Sequence, residues 1–221
     1  MSGDRPHHQF YGRRKGYPLR RHHLELVEQL LPKIRVDLEN PLPAGQPNRA
    51  MVLEIGFGGG EHLAHQAALH PQIDFIGAEP FLNGVAKLLA LIEANGLANI
   101  RIHDGDARDL LDVLPAASLD RVYLLYPDPW PKARHNKRRF VSDETLREIH
   151  RVLKPGGLLM FASDIADYAD WTERHVAAHG GFRLTGRDRF MPPIDWVETR
   201  YEAKAKREGQ RPVYLSFARS N

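Results

Sequence analysis

The chain has 221 residues, 42% of them hydrophobic and 27% charged, which suits one well-buried domain with room for an arm or insertion. No apolar run approaches the ~18 residues of a membrane span, and the polar opening "MSGDRPHHQFYGRRKGYPLRRHH" lacks a signal peptide's apolar segment. Zero cysteines exclude disulfides and thiolate metal sites, so a cytoplasmic protein is expected. The net charge of +3 is small but segregated. Residues 1–23 hold six Lys or Arg and four His against one acid, and 132–139 hold five basic residues. From Glu54 to Asp120 ten acids face three bases. Segregation of this kind points to a polyanion on the basic elements and another kind of ligand on the acidic stretch. A loose basic tail followed by an ordinary helix start is the alternative.

Residues 1–18 lack periodicity and are expected to form a mobile basic arm, ahead of a single domain over 19–221. That domain opens with a helix over 20–38, with Leu24, Val27, Leu30, Leu31 and Ile34 on one face and Pro32 interrupting it. A Pro/Gly linker covers 40–48 and the core runs over 50–221. Strands are predicted at 50–55, 72–79, 99–106, 119–127 and 157–164. Between and after them come helices following the glycines at 56–60, at 82–95, near 107–114, at 142–153 and at 165–179. Parallel strands need crossovers, so this alternation predicts an α/β, Rossmann-like doubly wound sheet that is mostly parallel. Two more strands, in 182–190 and 211–218, have no simple helix between them and predict an antiparallel C-terminal edge.

In such sheets ligands bind beyond the C-terminal strand ends, where the strand order reverses. The turn there is Gly56-Phe57-Gly58-Gly59-Gly60, whose glycines let backbone and N–H groups approach a ligand. A dinucleotide fingerprint needs glycine at position 61, where Glu61 stands. The G-x-G-x-G pattern with Glu54 two residues ahead resembles the turn of S-adenosylmethionine-dependent methyltransferases. Glu54 would repel a pyrophosphate and suit an ammonium or sulfonium; tight packing alone would also explain the turn. Glu79 follows Gly56 by 23 residues, where a carboxylate could accept both hydroxyls of a ribose, whatever the cofactor. Asp106 ends strand three, either against an adenine amino group, as in those methyltransferases, or as a helix cap. Lys154-Pro155-Gly156-Gly157 is a type II turn signal before strand five.

The most specific stretch is "YPDPWPKARHNKRRF", from Tyr126 to Phe140. Prolines on both sides restrict Asp128 and aim its carboxylate, Trp130 offers a face for a base, and the cations follow at once. A rigid surface loop with a packed Trp is the bland reading. Together with "LEIGFGGG", Ser163-Asp164 and "TRYE" at 199–202, this string closely resembles the bacterial tRNA (guanine-N7-)-methyltransferase family, over roughly residues 50 to 220. The basic arm is similar to that family's as well, while Pro131 and Tyr201 stand where members often carry other residues.

The resemblance implies a class I methyltransferase fold and methyl transfer from S-adenosylmethionine to N7 of a guanine in the tRNA variable loop, forming 7-methylguanosine. It implies that Glu54, Gly56, Gly58, Glu79, Asp106 and Asp128 contact S-adenosylmethionine, with Asp128 also catalytic. Lys132, Asp164, Thr199, Arg200, Tyr201 and Glu202 would contact substrate. Arg134, His135, Asn136, Lys137, Arg138 and Arg139 would lie along the RNA. Thr199 also begins a T-x-x-E capping box, and both roles are compatible. Guanine N7 carries no proton, so Asp128 would orient the base or stabilise positive charge rather than act as a base. Two rivals are a methyltransferase for base amino groups or small molecules and a non-catalytic RNA-binding protein. His62 and His65 share a helix face without a carboxylate partner and read as solvent-facing, so no metal is expected. tRNA is the expected partner, with no membrane and no protein partner evident; the chain is expected as a monomer or homodimer.

Overall fold

The computed structural model describes residues 8, 10–12, 14, 16–42, 49–188 and 200–220, with the backbone alone at 200, 201 and 204. Its first helix is shorter than the periodicity suggests. α1 (Arg21–Gln29) gives way to α2 (Leu31–Ile34), because Pro32, lacking an N–H, fits only the first turn of a new helix. The next residues leave the helix altogether: Arg35 is extended and the Val36 N–H donates to Ile102 O at 2.8 Å. The register of burial shifts accordingly, with Leu26 and Leu31 buried and Leu24 exposed.

Strands and helices then alternate as β1 (Met51–Ile55), α3 (Glu61–Leu69), β2 (Asp74–Ala78), α4 (Leu82–Asn95), β3 (Ile100–His103), α5 (Ala107–Val113) and β4 (Leu119–Leu125). A 3₁₀ helix (Ala133–Arg138) precedes α6 (Asp143–Val152), β5 (Leu153–Ser163), α7 (Ala166–His179), β6 (Phe182–Asp188), α8 (Arg200–Arg207) and β7 (Val213–Arg219). The sheet order is β3-β2-β1-β4-β5-β7-β6. β1 to β5 are parallel, and β7 is antiparallel to both β5 and β6. The expected antiparallel edge is present, with β7 between β5 and β6, but a helix, α8, stands between the two strands in the chain, where the pattern predicts no simple helix. β5 starts before its prediction because Leu153 pairs with Leu119, and a register shift follows. Gly156, at φ +76°, takes the conformation that a type II turn demands of its third residue.

The order reverses between β1 and β4, so β1 is covered on both faces and all five of its residues are buried. Leu53 and Ile55 point to one core with residues of α5, α6 and α7, such as Leu110, Ile149 and Tyr168. Val52 points to the other, with α1, α3 and α4 residues such as Leu26, Leu63 and Leu88. By strand alternation Glu54 shares the face of Val52, beneath the glycine turn. α6 begins with the capping box that a Ser-x-x-Thr start allows, as the Thr145 N–H donates to Ser142 Oγ at 3.3 Å. Among the described residues no helix is long and apolar enough to cross a membrane.

Candidate active site

The reversal point opens into a cleft of about 740 Å³, within the size range of small-molecule sites. Its floor is the turn after β1. Gly56, Gly58 and Gly60 have φ of +69°, +58° and +79°, which L side chains rarely adopt. Glu79, at the end of β2, ties this turn down: Gly58 N–H donates to Oε2 at 2.8 Å and Phe81 N–H to Oε1 at 2.9 Å. α4 presses against the same turn through Gly84, where an added Cβ would lie 2.2 Å from Gly58 O. Burial pushes the Glu79 carboxyl above its ordinary value, the two N–H bonds partly offset this, and the Asp128 charge adds to it.

Asp106 lines the far end of the cleft and also caps α5, accepting from the Arg108 N–H at 3.0 Å. The Arg108 guanidinium grips both its oxygens, Nε–H reaching Oδ1 and Nη2 reaching Oδ2. Burial pushes Asp106 up, but the Arg108 bonds and charge outweigh it and hold the carboxyl below its ordinary value. Both readings of Asp106 thus fall on one residue: it caps, and it faces the cleft.

The loop after β4 supplies the opposite wall. Tyr126, Pro127, Asp128 and Trp130 all line the cleft. Tyr126 and Trp130, each followed by proline, have φ of +50° and +43°. Such left-handed residues cost about 1–2 kcal/mol each, and strain of this kind persists only where surroundings hold it. Asp128 lies between them, exposed at the rim, with its carboxyl raised by partial burial. Arg138 lies over the Trp130 ring, its Cζ 5.0 Å from the centroid, and equally over Tyr11 of the N-terminal arm at 4.9 Å. Phe10, Tyr11 and Gly12 line the cleft too, so described arm residues contribute to the site. No periodicity signal could have placed them there.

Several expected site residues stand elsewhere. Glu54 is not among the lining residues; its buried carboxylate is 2.7 Å from His62 Nδ1. His62 is itself buried, packed edge-on against Tyr123, and does not face solvent as the helix pattern suggested. A strand carboxylate and a helix imidazole eight residues apart meet because the turn folds α3 back over β1. Glu202 is fully buried and bonded to Tyr214 Oη at 2.6 Å and Lys206 Nζ at 2.7 Å, so it is closed to a substrate in this conformation. Arg139 is buried as well, in the wall of the cleft rather than along the exposed cationic strip. Lys132, Arg134 and Lys137 are exposed, His135 and Asn136 half-exposed, and Asp164 half-buried at the end of β5. Thr199 lies outside the described residues, as do the side chains of Arg200 and Tyr201.

The strand order, the glycine turn at the reversal point and the carboxylates ending β2 and β3 define a class I methyltransferase fold. A crystal structure of the 16S rRNA methyltransferase KamB is similar, with a TM-score of 0.60 at 17% identity, covering 85% of this chain and 99% of that one. A family profile described as "Putative methyltransferase" matches residues 48–215. A tRNA (guanine-N(7)-)-methyltransferase of Agrobacterium fabrum is 53% identical over 219 residues, 95% of this chain and 94% of that protein. One of Rhizobium meliloti is 52% identical over 227 residues, 99% and 98% of the two chains. The chain belongs to the tRNA (guanine-N(7)-)-methyltransferase family.

Proposed function

We propose that this protein transfers a methyl group from S-adenosylmethionine to N7 of a guanine in tRNA, forming 7-methylguanosine. The observation that carries the reading is one cleft with two walls: a glycine turn held by Glu79 on one side, and Asp128 and Trp130 beside the cationic 3₁₀ helix on the other. The cleft's volume suits a nucleoside with an amino-acid tail, and a Cβ built on Gly56 meets nothing within 4 Å, so the turn leaves room for a ligand there. When bound, S-adenosylmethionine supplies an electrophilic methyl on a sulfonium.

The chain's residues do the rest by position and charge. Gly56 and Gly58 offer close backbone, Glu79 keeps acceptor capacity for ribose hydroxyls beyond its two N–H bonds, and Asp106 and Ala107 face the adenine end. Glu54 supports the turn from beneath through His62 rather than from within the cleft. N7 is a lone-pair nucleophile with no proton to lose, so Asp128 acts without removing one. Its carboxylate holds the guanine's N1–H and amino edge, or offsets the positive charge that grows on the ring. Holding N7 in line with the methyl supplies most of the remaining acceleration. Lys132, Arg134, Lys137 and Arg138 take phosphates around the target base. The protein works in the cytoplasm, where tRNA is.

Purified protein incubated with methyl-labelled S-adenosylmethionine and unmodified bacterial tRNA tests this reading. Label in 7-methylguanosine, lost in Asp128→Ala, is the expected result. Label in another nucleoside, or none despite cofactor binding, would overturn the assigned atom or substrate.

A further inference from the structure

Arg139 ends the cationic strip in sequence and leaves it in space. Its side chain has 0% exposure, whereas Lys137, two residues earlier, is exposed. The guanidinium lies between two rings of α7, with Cζ 4.9 Å from the Tyr168 centroid and 5.0 Å from that of Trp171. Its Nε–H donates to Pro129 O at 2.9 Å, and Nη2 bonds to Asp167. The same two rings hold the far end of the loop. The Val141 N–H donates to Tyr168 Oη at 3.3 Å, and Trp171 Nε1–H donates to Val141 O at 2.9 Å. One turn of α7 therefore grips the Asp128 loop on both sides of the cationic helix.

We infer that Arg139 is a positioning residue for Asp128 and makes no contact with RNA; this rests on the function proposed above. Proline fixes φ near −65°, so once the Pro129 carbonyl is held, little freedom separates it from the Asp128 backbone. Arg139 holds that carbonyl. It also stabilises a loop whose ends, Tyr126 and Trp130, sit in the left-handed region. Lysine cannot replace it. A point charge on a flexible stem cannot stack between two rings while donating in two directions, as a planar guanidinium does. Arg139 lines the cleft and its Nη1 makes no hydrogen bond, yet with 0% side-chain exposure it reaches a backbone phosphate only by leaving two aromatic faces, a carbonyl and a carboxylate together.

The two roles separate in salt dependence and in the split between binding and turnover. A cation that neutralises a phosphate contributes roughly 0.7–0.9 to the slope of log affinity against log salt. The experiment measures tRNA affinity across a salt series, S-adenosylmethionine affinity, thermal unfolding and saturated turnover for wild type, Arg139→Lys, Arg139→Met and, as a phosphate-contact comparator, Lys137→Met. Displacing a positioned group by about 1 Å costs on the order of 100-fold in rate. Both Arg139 variants should lose turnover on that scale, with tRNA affinity, salt slope and cofactor affinity at wild-type values. Lys137→Met should lower the slope. If Arg139→Met does not fold, Asp167→Asn replaces it, since Asp167 is 65% exposed and touches the guanidinium from outside. It should lower turnover with the salt slope unchanged. Wild-type turnover in Arg139→Lys, or weaker tRNA binding with a reduced slope in Arg139→Met, would overturn the inference. A wild-type protein that makes no 7-methylguanosine on the same tRNA would overturn the functional reading, and this inference with it.

Discussion

Replacing Gly84 by alanine sets two effects against each other, and the structure decides between them. Gly84 lies in the first turn of α4, where alanine would favour the helix by about 1 kcal/mol. A built Cβ, however, lies 2.2 Å from Gly58 O, roughly 1 Å inside the ~3.3 Å at which carbon closely approaches a carbonyl oxygen. The obstacle is backbone, in a turn whose Gly58 N–H is already tied to Glu79 at 2.8 Å, so no side-chain rotation relieves it. Overpacking of this kind costs about 1–3 kcal/mol, leaving a net loss of roughly 0–2 kcal/mol and a melting temperature lower by up to about 8 °C. The part of that strain carried by the turn weakens S-adenosylmethionine binding, with 1.4 kcal/mol equal to about tenfold. Gly77→Ala is the comparison, since the atoms in its way belong to Leu63 and Phe57 side chains, which can move. Calorimetric titration with S-adenosylmethionine and thermal melts read both effects. Unchanged cofactor affinity together with a raised melting temperature in Gly84→Ala would refute the argument that α4 sets the height of the turn.

Acidification should weaken S-adenosylmethionine binding. In the proposed function the ligand uses the Glu79 carboxylate, whose pKa burial raises, so affinity should be full above that raised value and fall as pH drops through it. Titration from about pH 8 to 5 should show proton release on binding; pH-independent affinity would refute the role of Glu79. The sign reverses for stability of the free protein. The contribution of Glu79 and Asp128 is complete below their ordinary values and is lost as pH rises through the raised ones. For the arm, Gly16 N–H donates to Asn83 Oδ1 at 2.9 Å, and Asn83 Nδ2–H donates to Tyr17 O at 2.7 Å. Hydrogen exchange at Gly16 should be slow without tRNA and fast in Asn83→Ala; equal fast exchange in both would show that the arm does not dock.

The sheet was legible because its signals are local. Apolar runs such as "AMVLEI", separated by glycine turns and amphipathic helices, carry the succession of strands and helices along the chain almost alone. The cleft's carboxylates were legible for the same reason, as Glu79, Asp106 and Asp128 each follow closely on a strand. What escaped depends on partners distant in sequence. Arg139 reads as one cation of five until Tyr168 and Trp171, about thirty residues on, form a slot around it. Glu202 reads as a substrate contact until β7 brings Tyr214 against it. His62 reads as a surface residue because helical periodicity says which residues share a face, not which face meets Glu54. Pro32 reads as an interruption, but only pairing with β3 shows that the chain becomes extended after Ile34.

The place of β7 in the sheet bears on how the chain is made. β7 follows the other described strands and helices in the chain, yet lies between β5 and β6. During synthesis β6 leaves the ribosome with no ladder partner, and β5 waits with one edge open. The pairing that closes both joins residues such as Leu158 and Ala218, a long loop to close and so a slow event. Until it forms, the half of the sheet carrying Asp164 and the α7 grip on the Asp128 loop lacks its central support. The nascent chain therefore holds an assembled glycine turn before it holds a working wall for RNA.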